Sequence, residues 1–125
     1  FIYVSGQLPI LKNKLLFSGK LGKDLKIKEV KKAIFIATCN LLLVLEECIK
    51  KNKLNLNYIR AINIKGYINS KSNITQHSKI LDEASSLILK VLKSNNGLHS
   101  RSVIGVKSLP MKSSVEIEGI FATFK

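Results

Sequence analysis

Apolar residues recur at spacings of three and four between Ile27 and Lys51. Val30, Ile34, Ala37, Leu41, Val44 and Cys48 form one continuous stripe, widened by Phe35, Ile36, Leu42 and Leu43. The spacing predicts a long helix covered on more than one side. Lys50, Lys51 and Lys53 suit its negative C-terminal end, and Asp24 is the nearest residue able to cap its start. A second run, from about Thr75 to Ser94, turns Ile80, Ala84, Leu87, Ile88 and Val91 toward a core. Asn95-Asn96-Gly97 ends it, with Gly97 expected in the left-handed conformation.

The remaining apolar segments alternate, as strands do. Phe1-Ile2-Tyr3-Val4 predicts a strand stopping at Ser5-Gly6-Gln7, ahead of Pro9. Leu15 to Leu21 fits a short hairpin arm punctuated by Ser18-Gly19. In Arg60 to Asn69, Ile62, Ile64 and Ile68 fall on one face and Asn63, Lys65 and Tyr67 on the other, and Asn69 to Asn73 is a loop. Ser102 to Val106 and Val115 to Phe124 are expected to form a hairpin around Leu109-Pro110. The order strand, helix, strand, helix, strand, strand predicts an α+β domain with two helices on one face of a mixed sheet. The uncovered face would carry Ala61, Val103, Gly105, Ile117 or Ile120, depending on register. That is not very polar, so a closed oligomer is expected.

Length and composition narrow the class. With 125 residues, 46% of them hydrophobic, the chain is one ordinary domain that needs no disulfide or metal to fold. Cys39 and Cys48 lie nine residues apart in the first helical run, on opposite sides, and are expected as small core residues. Neither they nor His77 and His99 have zinc spacing, and no phosphate loop, dinucleotide fingerprint or nucleophile elbow is present, so no cofactor is expected. The longest apolar stretch, Ala33 to Leu45, is too short to span a bilayer, which predicts a cytoplasmic protein without a membrane partner. The net charge of +13 would ordinarily point to nucleic acid or an anionic membrane. Nineteen of the 21 cations are lysines, however, and 16 isoleucines and 10 asparagines accompany them. An AT-rich coding sequence produces that mixture as readily as selection for a polyanion does.

Against that background one arginine is conspicuous. Arg101 opens a strand after a helix and a Gly-containing loop. It is either a surface cation at a strand end or a planar fork for a carboxylate or phosphate. Glu116 and Glu118 share a face of the last strand, roughly 7 Å apart, either as a solvated sheet edge or as an acid/base pair. If the hairpin turns near Pro110, Arg101 pairs near Ile120, about 13 Å from Glu116. The two would then share a substrate only where one subunit's strand meets a neighbour's. Ser5-Gly6 is either a plain strand-ending turn or a source of backbone N–H donors at that place, Gly6 allowing close approach.

Tyr-Val-Ser-Gly-Gln-Leu-Pro (3–9), Ala-Thr-Cys-Asn-Leu-Leu (37–42), Gly-Tyr-Ile-Asn-Ser (66–70), Arg-Ser-Val-Ile-Gly-Val (101–106) and Leu-Pro…Val-Glu-Ile-Glu-Gly-Ile-Phe (109–121) follow in that order. Together they resemble the RidA/YjgF family of reactive-intermediate deaminases, and most closely its YjgF-like endoribonuclease branch. The resemblance implies a single chorismate-mutase-like domain over residues 1–125 and a homotrimeric barrel with ligand clefts between subunits. It implies hydrolysis of 2-enamine and 2-imine acids, such as 2-aminoacrylate and 2-iminopropanoate, to 2-oxo acids and ammonia. It also implies Arg101 as the carboxylate clamp, Glu116 as the group that positions or activates water, and Ser5, Gly6 and Val103 as pocket lining. Family members carry a longer segment ahead of Ser-Gly-Gln, so the expected domain lacks the family's first strand. No role is carried onto His77 or Lys79. A non-catalytic protein that binds a small carboxylate is the alternative. An RNA-directed nuclease is a third possibility, disfavoured by scattered lysines and few aromatics for stacking.

Overall fold

The computed structural model describes residues 1–124. The longest periodic run forms α1, Ile27–Lys51, with the predicted ends. It buries Val30, Ala33, Ile34, Ala37, Thr38, Leu41, Leu45 and Ile49. The stripe therefore moves to Leu45 and Ile49 in the last turns, and Val44 and Cys48 stay partly exposed. A helix of 3.6 residues per turn drifts off a fixed spacing over seven turns. Asp24 does not cap it. Its carboxylate accepts from the Lys20 N–H at 2.9 Å, and Glu29 instead reaches back to the N–H of Lys26 at 3.0 Å. The second helix, α2, runs from His77 to Leu92 and buries Ile80, Leu81, Ala84, Ile88 and Leu92, leaving Val91 exposed and Leu87 half-buried.

The described residues also form six strands: β1 (Ile2–Gln7), β2 (Ile10–Leu11), β3 (Lys14–Leu15), β4 (Ile59–Asn69), β5 (Ser100–Val106) and β6 (Val115–Thr123). The short hairpin is β2–β3, turning at Lys12-Asn13, both at positive φ, and not within Leu15 to Leu21. The main sheet has the order β1-β6-β4-β5. β6 is antiparallel to both β1 and β4, and β4 is parallel to β5. The expected β5–β6 hairpin is therefore absent. Parallel neighbours need a long crossover, and α2 supplies it between β4 and β5. The chain then returns past Pro110 to pair β6 on the other side of β4.

Both helices pack on one face of this sheet, over a core that includes Phe121, Ile64, Ile68, Ile117 and Leu41. A bulge at Ala61/Asn63 changes which β4 residues face the helices. Ile59 and Ala61 are buried before it and Ile64, Gly66 and Ile68 after it, so Ile62 does not join Ile64 and Ile68. Ala61 and Ile117 lie in the core, and Val103 packs against it. Arg101, Val103 and Gly105 share the helix side of β5, opposite Ile64, Gly66 and Ile68. Of the residues expected on the open face, Ile120 alone is there. That face carries Tyr3, Asn63, Lys65, Tyr67, Ser102, Ile104, Glu116 and Glu118 and is considerably more polar.

Gly97 is not in the left-handed region; Lys93 and Ser94 take positive φ instead. Glycine is needed at 97 for space, because a Cβ there would stand 2.7 Å from Leu89 Cα. Among the described residues no helix is long and apolar enough to cross a membrane.

Phe121 is fully buried between the sheet and α1. Phe121→Ala should cost about 3–5 kcal/mol, read as a lower urea midpoint with an unchanged slope. A loss below about 1 kcal/mol would contradict this account of the core.

Candidate functional site

β1 does not stop at Val4. It continues to Gln7 through a bulge in which Ser5 and Gly6 face a single β6 residue, Glu118. Asn40 of α1 fixes the segment that follows, donating to the carbonyls of Leu8 and Ile10, each at 2.9 Å. The bulge sets Gly6 directly against Glu116. A Cβ at position 6 would stand 2.7 Å from Glu116 Cδ and overlap its Oε2. Two motifs 110 residues apart in sequence thus meet, and glycine is the residue that permits it.

Glu116 is half-buried on β6, an interior strand, and is not at a sheet edge. Burial pushes its carboxyl above the ordinary glutamate range, and the neighbouring Glu118 adds to the shift. Glu118 accepts a hydrogen bond from the Tyr67 hydroxyl. That bond, burial and the carboxylate charges push the Tyr67 phenol up to about 12. Tyr3, Ser5, Asn63, Lys65, Glu118 and Ile120 line a hollow of about 320 Å³ on the same open face.

Arg101 lies elsewhere. It pairs with Ile64 on β4, not with Ile120, and Ile64 pairs in turn with Gly119. From Arg101 to Glu116 is therefore two strands across and three positions along, about 10 Å in each direction. The two side chains also leave opposite faces of the sheet. One chain does not bring them together. The hairpin behind that expectation is absent, but the separation it implied persists through a different topology.

The guanidinium of Arg101 meets α2. Nη2 donates to Asp82 Oδ1 at 2.7 Å, Ser78 Oγ at 3.0 Å and the Ser78 carbonyl at 3.4 Å, while Nη1 donates to Ser85 Oγ at 3.1 Å. His99 joins through Ser85, its Nε2 standing 2.9 Å from Ser85 Oγ. None of these partners was anticipated from sequence. A signal existed: Ser78, Asp82 and Ser85 recur at spacings of four and three, and so share one side of the helix. Further along the same side of β5, Lys20, Ser70, Lys71, His77 and Lys107 line a hollow of about 640 Å³ floored by Gly105.

The comparisons with known proteins agree with this architecture. Residues 1–123 match the family described as YjgF/chorismate mutase-like, putative endoribonuclease. The chain is 31% identical over 121 residues to Protein TCP17 of Trypanosoma cruzi, covering 95% of this chain and 72% of that protein. A crystal structure of a putative endoribonuclease from Shewanella oneidensis superposes with a TM-score of 0.86 at 31% identity, covering 98% of this chain and 78% of that one. The protein Atu1372 of Agrobacterium tumefaciens, described as of unknown function, superposes with a TM-score of 0.85 at 30% identity over 98% of this chain and 75% of its own.

The Tyr67–Glu118 contact has a direct spectroscopic consequence. Tyr67 should ionise near pH 12 in an ultraviolet titration. Glu118→Gln removes the acceptor charge and should bring it down toward 10. An unchanged titration in that variant would contradict the contact.

Proposed function

This chain belongs to the YjgF/chorismate mutase-like family, and from that premise we propose that it hydrolyses small 2-imino acids and their 2-enamino tautomers to 2-oxo acids and ammonia. The observation that carries the proposal is the seating of the Glu116 carboxylate against Gly6. It gives a half-buried acid, with its proton affinity raised, beside a strand bulge whose Ser5 lines a hollow. Such a carboxylate is a better base for water than an ordinary one.

The opposite-face placement of Arg101 and Glu116 supports a cleft between subunits. Arg101 stands on β5, an edge strand, on the helix side. Glu116 faces the open side, which also exposes Tyr3 and Ile104. Packing one subunit's β5 edge near the next subunit's open face would bring the arginine of one to the glutamate of the other. A homotrimer, the assembly this resemblance implies, closes three such clefts at once.

In that cleft the Arg101 fork would hold the substrate carboxylate. Ser5, Gly6 and the backbone at Val103 would line the site. The imine carbon is already electrophilic, so placement and one proton transfer suffice. Starting from the protonated imine, Glu116 takes a proton from water as the oxygen bonds to carbon and the C=N pair moves to nitrogen, which gives the neutral carbinolamine. Glu116 then returns its proton to the amine nitrogen, and the C–N bond breaks as the hydroxyl gives up its proton to solvent, leaving ammonia and the 2-oxo acid. The endoribonuclease wording belongs to the relatives; here Glu116 and Glu118 put two carboxylates on the open face, which would repel a phosphate backbone there.

Ammonia release from 2-aminoacrylate generated in situ tests the proposal. The wild type should accelerate it, and Glu116→Gln should lower the rate about 10²- to 10⁴-fold. Arg101→Ala should lower kcat/KM about 10- to 100-fold. Because Glu116 acts as the base when ionised and its pKa is raised, activity should fall as pH drops through a point above the usual glutamate range. Glu116→Gln should lack that limb. Equal rates for wild type and Arg101→Ala would overturn the proposal.

A further inference from the structure

The Arg101 fork holds a carboxylate of its own chain, that of Asp82, and the surroundings divide into a fixed part and a replaceable one. Ser85 and His99 form the fixed part. His99 Nδ1 lies 2.7 Å from the Gly97 carbonyl, which can only accept, so Nδ1 carries the proton. In the neutral ring Nε2 then accepts from the Ser85 hydroxyl, and the Ser85 lone pairs remain for Arg101 Nη1. Ser78 holds the other nitrogen through its hydroxyl and its carbonyl.

Asp82 is the replaceable part. The Arg101 side chain is 26% exposed and that of Asp82 62%. Asp82 can therefore turn into water on the surface of α2 while the guanidinium stays between its two serines. It meets the fork through one oxygen and one nitrogen, whereas a free carboxylate can engage such a fork through two parallel bonds. Ion pairs with an exposed partner contribute little and are easily exchanged.

We propose that Asp82 is a displaceable occupant of the Arg101 fork, replaced by the carboxylate of an incoming small acid, and that it thereby sets the affinity of the site without entering the chemistry. This rests on the assignment of Arg101 as the carboxylate clamp. Asp82 is a competitor held within the chain, and removing its charge while keeping its shape tightens binding.

The test uses the whole chain, with pyruvate as the probe of carboxylate binding by calorimetry or NMR, alongside deamination of 2-aminoacrylate. Asp82→Asn should bind pyruvate about two- to fivefold more tightly and lower KM by a similar factor, with kcat unchanged. Asp82→Ser, which removes the charge with a smaller side chain, should move both in the same direction. Unchanged or weaker pyruvate binding in the two variants overturns the inference, a weakening identifying Asp82 as a support for Arg101. If the variants bind pyruvate more tightly but no chain releases ammonia, the inference stands and the deaminase proposal falls. If no chain binds pyruvate, the inference falls whatever the rate of deamination.

Discussion

β4 is paired on both sides, with parallel β5 along one edge and antiparallel β6 along the other, and this double pairing governs the rest of the molecule. The parallel partner demands a crossover, and α2 makes it. A crossover helix must bury its apolar stripe, so one face of the sheet is closed by α2 together with α1. The other face is left to the alternate residues of every strand. Each side chain of interest is thereby assigned a face by the parity of its position.

That assignment separates the two residues on which the proposed chemistry turns. Arg101 falls on the helix side and is gripped by Ser78, Asp82 and Ser85. Glu116 falls on the open side, where the β1 bulge presses Gly6 against it. Neither placement is costly alone. The arginine has acceptors, and the glutamate is only half-buried. Together they put the two groups on opposite faces of one chain, which is why the proposed site lies between chains. The strongly basic character of the sequence plays little part in this picture. The informative cation is the one whose guanidinium is held by a helix, and the lysines that surround it are largely exposed.

Both helices were legible in the sequence because an amphipathic period repeated over four or more turns leaves few alternatives. Strand positions were legible for the same reason at period two. Pairing was not. Val115 to Thr123 follows Ser100 to Val106 closely enough to suggest a hairpin, and nothing local records that β4 lies between them. Bulges were equally hidden: one extra residue at Ile62 moves it off the face it shares by parity with Ile64, and the one at Ser5-Gly6 extends a strand through what looks like a turn. The candidate site was legible as a set of residues, through motifs whose resemblance to a family did not depend on topology. Its surroundings were not, because Asp82, Ser85 and His99 reach Arg101 only through the packing of α2 on β5.

The central claim is that Arg101 and Glu116 serve one cleft from two different chains. Co-refolding Arg101→Ala with Glu116→Gln tests it most directly, with deamination as the readout. Each variant alone should be impaired, by about 10- to 100-fold for Arg101→Ala and by more for Glu116→Gln. In mixed oligomers some clefts receive an intact arginine from one chain and an intact glutamate from the next, so a fraction of the wild-type rate should return. A mixture no more active than its two components would contradict the account.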